Sequence, residues 1–126
     1  MRRFDFVRDT DGSSAIEFAI LIPVFVMVLL GIMGSGILMW TQFGLQHGAE
    51  MGARCASVNT TACGTTANIQ AYAVNQTYGV NPPASVFTVT TPACGEQVDA
   101  SYVFDILLTD LGLPPVTLKG KSCFPK

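Results

Sequence analysis

The chain has 126 residues, of which 49% are hydrophobic and only 13% charged, with a net charge of −2. Ordinary soluble domains carry about 25% charged residues, so an apolar segment must dilute them here, and at ~150 residues per domain the length allows one domain at most. The charge balance excludes an electrostatic nucleic-acid binder, which needs a clustered basic surface, and the apolar content excludes a disordered acidic tail.

The first twelve residues, MRRFDFVRDTDG, are polar. Arg2, Arg3 and Arg8 are matched by Asp5, Asp9 and Asp11. The apolar excess follows at residues 18–40, FAILIPVFVMVLLGIMGSGILMW, a run of 23 residues without a charge. At 1.5 Å per residue it reaches roughly 34 Å, enough to cross a hydrocarbon core of about 30 Å. A buried helix of a soluble protein is the alternative, but the remaining chain is too short to wrap it on all sides. After the run the next Arg or Lys is Arg54. Lys and Arg close to a span set its orientation and acids count little, so the N-terminus is expected in the cytoplasm. The C-terminal part then lies outside, in the periplasm of a diderm cell. Cys55, Cys63, Cys94 and Cys123 all fall on that outer side, where disulfides persist. A removable secretory signal fits poorly, because its apolar region is usually 7–15 residues and ends at a small-residue cleavage site.

Glu17 abuts the apolar run. A carboxylate carried deep into a bilayer costs on the order of 2.5 kcal/mol or more, so it needs a cation. One helical turn either way stand Ser13 and Leu21, which supply none. A cut between Gly12 and Ser13 would make Ser13 the N-terminus. Its new α-ammonium would then lie one turn from Glu17, on the same face, in a first turn that favours negative charge. The same pairing can form between neighbouring chains.

A short leader ending in Gly12, a junction before an apolar helix, and Glu17 as the fifth residue beyond it resemble the class III signal of type IV prepilins. The run Gly12-Ser13-Ser14-Ala15-Ile16-Glu17-Phe18 is similar to the Flp/Tad branch, and Ala19-Ile20-Leu21-Ile22-Pro23-Val24 to the start of TadE-like pseudopilins. The segment His47-Gly48-Ala49-Glu50-Met51-Gly52-Ala53-Arg54 resembles a further stretch of that family. Phe18 stands where Tyr is common in Flp prepilins, and Gly34-Ser35-Gly36 where TadE-like chains often carry an acid. The resemblance implies a prepilin peptidase that cuts after Gly12, and a mature product that joins or primes a Flp-type pilus needed for surface adhesion. The implied partners are that peptidase, other Tad pilins and pseudopilins, the inner-membrane assembly platform and membrane lipid, with no nucleic acid. The major Flp pilin is little more than its helix, and the outer part here is too large for it.

Helical character continues through TQFGLQHGAEMGARCA, residues 41–56. A helix from Ser13 to about Ala56 would be ~66 Å long, with Pro23 removing one backbone hydrogen bond and a kink allowed there. Gly44, Gly48 and Gly52 recur every four residues and make one smooth face. Glycine costs about 1 kcal/mol in a helix interior, so this spacing points to close backbone approach. The approach is either to another helix in a filament or to the chain's own sheet, and a position beyond the bilayer favours the second.

Beyond the polar loop 57–66, Thr66 is expected to cap a second helix over 67–78, with Ile69, Tyr72 and Ala73 on one face. Gly79, Pro82 and Pro83 end it. Residues 86–90 read as a strand. Residues 98–106 alternate, with Val98, Ala100, Tyr102 and Phe104 facing one way, as in a half-buried antiparallel strand. Residues 116–122 form a third, with Val116 and Leu118 inward and Lys119 and Lys121 outward. The fold expected is α+β and pilin-like: a long N-terminal transmembrane helix, a short second helix and a small three-stranded antiparallel sheet. The divisions are a leader at 1–12, a transmembrane assembly helix at 13–42 and a periplasmic α+β domain at 43–126. So small a core calls for staples. Of three possible pairings, Cys55–Cys63 closes a short loop and Cys94–Cys123 joins two ends on one side of a meander. If the middle strand separates that second pair, the loop must bend to close a gap of roughly 10 Å.

His47 is the one histidine and reads as a solvent-facing or packing residue. There is no CxxC for a metal, no nucleotide-binding glycine pattern, and no Ser–His–acid order or carboxylate pair. The chain reads as a peptidase substrate and assembly component rather than an enzyme, with no cofactor, metal or catalytic residue expected. The rival reading is an uncleaved single-pass anchor for a small disulfide-stapled binding module.

Overall fold

The structure, a computed structural model, describes residues 13–105, 112 and 114–126. Gly12, the rest of the expected leader and Ile106 lie outside the described residues. Helix α1 runs Ser13–Val58 with Pro23 inside it, and α2 runs Thr66–Asn75. A 3₁₀ turn at Ala84–Val86 leads into β1 (Phe87–Thr90), followed by β2 (Glu96–Phe104) and β3 (Val116–Phe124). The three strands form one antiparallel sheet in the order β1-β2-β3. The fold is therefore α+β, with a long apolar helix, a short helix and a three-stranded meander. The chain divides into two compact units, Met1–Ser35 and Gly36–Lys126.

In the second unit the core is assembled from small helical residues and a few large strand residues. Leu45, Ala49, Ala53 and Ala56 of α1 meet Ile69 and Ala73 of α2, Phe87 of β1, Val98 and Ala100 of β2, and Leu118 of β3. Alanines let the helices approach closely, so the bulk of the filling falls to Phe87, Leu45 and Val98, which are fully buried. The strand periodicity is visible in β2, where Val98 and Ala100 are buried, Tyr102 and Phe104 half-buried, and Ser101 and Val103 exposed.

Two elements differ from the sequence reading. Helix α2 starts one residue earlier and ends at Asn75, and its cap is Thr65, whose Oγ1 accepts from the Asn68 amide at 3.3 Å. Thr66 was the nearer hydroxyl to the expected start, but Thr65 has the extended backbone that a cap requires. The helix stops early because the chain then turns to insert Thr77 into the core. Tyr72 is not on the buried face of α2, which comprises Ile69 and Ala73. Likewise Val116 is exposed, because the start of β3 pairs with Phe104 at the outer end of β2, past the buried region.

Glutamines cover parts of both sheet edges. Gln42 donates to the Lys119 carbonyl at 2.7 Å, and Gln46 both donates to the Lys121 carbonyl and accepts from the Lys121 amide, each at 3.1 Å. These residues are four apart on α1 and meet carbonyls two apart on β3, one helical turn matching one strand repeat. Gln70 of α2 donates to the Phe87 carbonyl of β1 at 2.6 Å. An uncovered edge strand offers its backbone to another chain; here helix side chains take part of that role.

Candidate assembly surface

Among the described residues the first unit has no interior of its own. From Ile16 to Met33 its large apolar side chains are between 42% (Ile22) and 74% (Met27) exposed. Leaving so many unburied in water would forgo about 1.5–3 kcal/mol for each, well over the stability of a small domain. That surface demands lipid or other helices, and α1 is long and apolar enough to cross a membrane. Gly31, Gly34 and Gly36 have nothing within 4 Å of a Cβ built on them. Ser13 opens the helix as described, and Glu17 is exposed on its second turn, not its first. The helix dipole acts mainly within the first turn, so it supports Glu17 less than the sequence reading supposed. Among the described residues Glu17 takes part in no ion pair; the two present join Lys121 to Asp99 and Lys126 to Glu96 in the second unit.

The glycines further along α1 are in a different situation. A Cβ on Gly44 would lie 2.6 Å from the Thr77 carbonyl oxygen, and one on Gly48 would lie 2.8 Å from the Ala73 oxygen and 3.0 Å from the Phe87 ring. On Gly52 it would meet the Ala73 Cβ at 3.1 Å, with Val98 and Ile69 beyond. The close approach that the four-residue spacing announced is thus made within the chain. Its main partner is α2 and the turn after it, with the sheet contributing Phe87 and Val98.

Both disulfides are formed. Cys55 and Cys63 join the end of α1 to the following loop with Cα atoms 5.8 Å apart, and Cys94 joins Cys123 at 6.4 Å. Gln97 stands opposite Cys123 in the β2–β3 register, so the β1–β2 turn folds across β2 to bring Cys94 within reach. Gly95 makes that possible: its φ is +125°, and any side chain there would collide with the Phe124 carbonyl.

His47 is half-buried and packs. Its ring lies 4.7 Å from that of Tyr78, and its Nε2 is 3.1 Å from the Tyr78 hydroxyl. Trp40 and Phe43 join the same group. The residues of this cluster on α1 are visible in sequence as a stripe at spacings of three and four, but Tyr78 comes from the turn after α2 and carried no signal. Among the described residues no three His, Cys, Asp or Glu side chains gather as a metal site would need.

Residues 12–54 match the model of the TadE-like protein family, covering the Gly12–Ser13 junction, the apolar helix and the glycine face up to the residue before Cys55. No curated protein and no solved structure matches the chain. The match takes in about a third of the 126 residues and leaves α2 and the sheet outside it. Over this amino-terminal segment the chain is similar to TadE-like proteins.

Proposed function

We propose that the chain is a minor pilin or pseudopilin, matured by a prepilin peptidase between Gly12 and Ser13 and needed to assemble a Flp-type pilus for surface adhesion. The observation that carries this reading is the coincidence of the family match, which begins at Gly12, with a helix whose apolar residues from Ile16 to Met33 find no cover among the described residues. Before assembly that helix crosses the inner membrane, N-terminus inside and disulfides outside. Afterwards the other Tad pilins cover it. Cleavage supplies the ammonium of Ser13 for Glu17, of the same chain or of the next. That pairing offsets the cost of carrying the carboxylate into an apolar assembly. The role is structural rather than enzymatic, and the assembly platform and the peptidase are its partners.

Intact mass and N-terminal sequencing of the membrane-extracted protein test the proposal. Loss of residues 1–12 with a new terminus at Ser13 is expected. Gly12→Ala should retain the leader, and Glu17→Ala should be cleaved normally yet absent from sheared pili. The rival, an uncleaved anchor, draws support from the compact second unit with its own core and two disulfides. It requires Met1 or Arg2 on the protein recovered from cells.

A further inference from the structure

The outward face of α1 changes character within the second unit. Ile37, Met39, Trp40 and Phe43 are 56–72% exposed, whereas the next outward positions, Gln46, Glu50 and Arg54, are exposed and polar. Thr41, Gly44, Leu45 and Gly48 on the opposite side are already buried under the unit's own chain. An apolar collar therefore persists for about one turn alongside the folded part.

Tyr78 joins this collar from outside the helix. It is 51% exposed and has a φ of +50°, a backbone region that bulky side chains rarely adopt. The turn that imposes it is firmly held. Thr77, fully buried, donates to the Val74 carbonyl at 2.7 Å and accepts from the Asn81 amide at 3.3 Å. The Tyr78 ring then lies 5.9 Å from Phe43 and 6.3 Å from Trp40. The result is a platform of three half-exposed rings with an indole N–H and a phenol at its edges.

We propose that Trp40, Phe43 and Tyr78 form a foot that seats in the outer headgroup layer of the bilayer, so that the turn after α2, and not the helix alone, contacts lipid. Aromatic side chains with an apolar body and a polar tip favour that layer. Lipid is the occupant because Trp40 ends the charge-free run of residues 18–40, long enough to cross a hydrocarbon core, and Phe43 follows within one turn of the same helix. The inference rests on reading α1 as a membrane span.

Trp40 is the sole tryptophan, which makes the test direct. Full-length protein in phosphatidylcholine vesicles is compared with a Trp40→Phe/Tyr78→Trp variant, and with Trp40→Phe/Phe43→Trp in case the strained turn does not tolerate indole. Vesicles brominated near the headgroup or near the chain end serve as quenchers, and acrylamide probes the water side. Expected is at least twofold stronger quenching by the shallow bromines than by the deep ones, for Trp40 and for both variants. If Trp40 is quenched by lipid while the Tyr78→Trp probe responds only to acrylamide, the foot is overturned and the span survives. If no probe responds to lipid, both fall. If the Tyr78→Trp probe is shielded from every quencher, a protein surface covers the patch and the lipid assignment is overturned.

Discussion

Gly31, Gly34 and Gly36 lie on the same helix as Gly44, Gly48 and Gly52, yet the first three have nothing within 4 Å of an added Cβ, whereas Gly44 and Gly48 face backbone carbonyls at 2.6 and 2.8 Å and Gly52 faces the Ala73 side chain at 3.1 Å. A glycine row in an apolar helix is commonly read as a seam for another helix. Here the more regular row is already occupied by the chain's own α2 and sheet. The less regular row meets no neighbour within 4 Å among the described residues. Regular spacing therefore announces close packing without saying whether it lies within or between chains.

The largest expected effect comes from opening the longer disulfide. Cys94→Ser/Cys123→Ser should lower the stability of the second unit by roughly 3–4 kcal/mol, for a loop of 29 residues. Helical circular dichroism in detergent should largely persist, because the charge-free run of residues 18–40 stays helical in an apolar medium. Simultaneous loss of both signals would erase the distinction between the two stretches.

Gly48→Ala sharpens the comparison of glycines. The gain of about 1 kcal/mol in helix propensity is outweighed by overpacking against the Ala73 carbonyl, so a net loss of about 1–2 kcal/mol is expected in urea unfolding of the detergent-solubilised protein. Gln46→Ala should cost about 1 kcal/mol and speed hydrogen exchange at the Lys121 amide, which it leaves open to water. Gly34→Ala should cost nothing and show only the propensity gain of up to about 1 kcal/mol. An unfolding loss there comparable with that of Gly48→Ala would show that the first row is also packed within the chain.

Much of the architecture was legible because its signals are local. An unbroken apolar run at residues 18–40 marks α1, alternation from Val98 marks β2, and Gly79 with the prolines bounds α2. The pattern points to Thr66 as the cap and the structure uses Thr65, because the two are chemically alike and only backbone geometry distinguishes them. Periodicity points Tyr72 and Val116 inward, but it does not show that the neighbouring elements stop short of them. The Gly12–Ser13 junction and Glu17 were singled out by charge placement and by family resemblance, and the family match covers both.

The sequence by itself determined the apolar helix and the helix and strands that follow it, because hydrophobic periodicity and charge spacing act over a few residues. Only the tertiary structure decided that the glycine face is filled by α2, that Gln42, Gln46 and Gln70 cover sheet edges, and that Tyr78 stacks on His47. Each of these joins residues far apart in the chain, and their meeting is set by how the helices and sheet pack together, which no local pattern of side chains encodes.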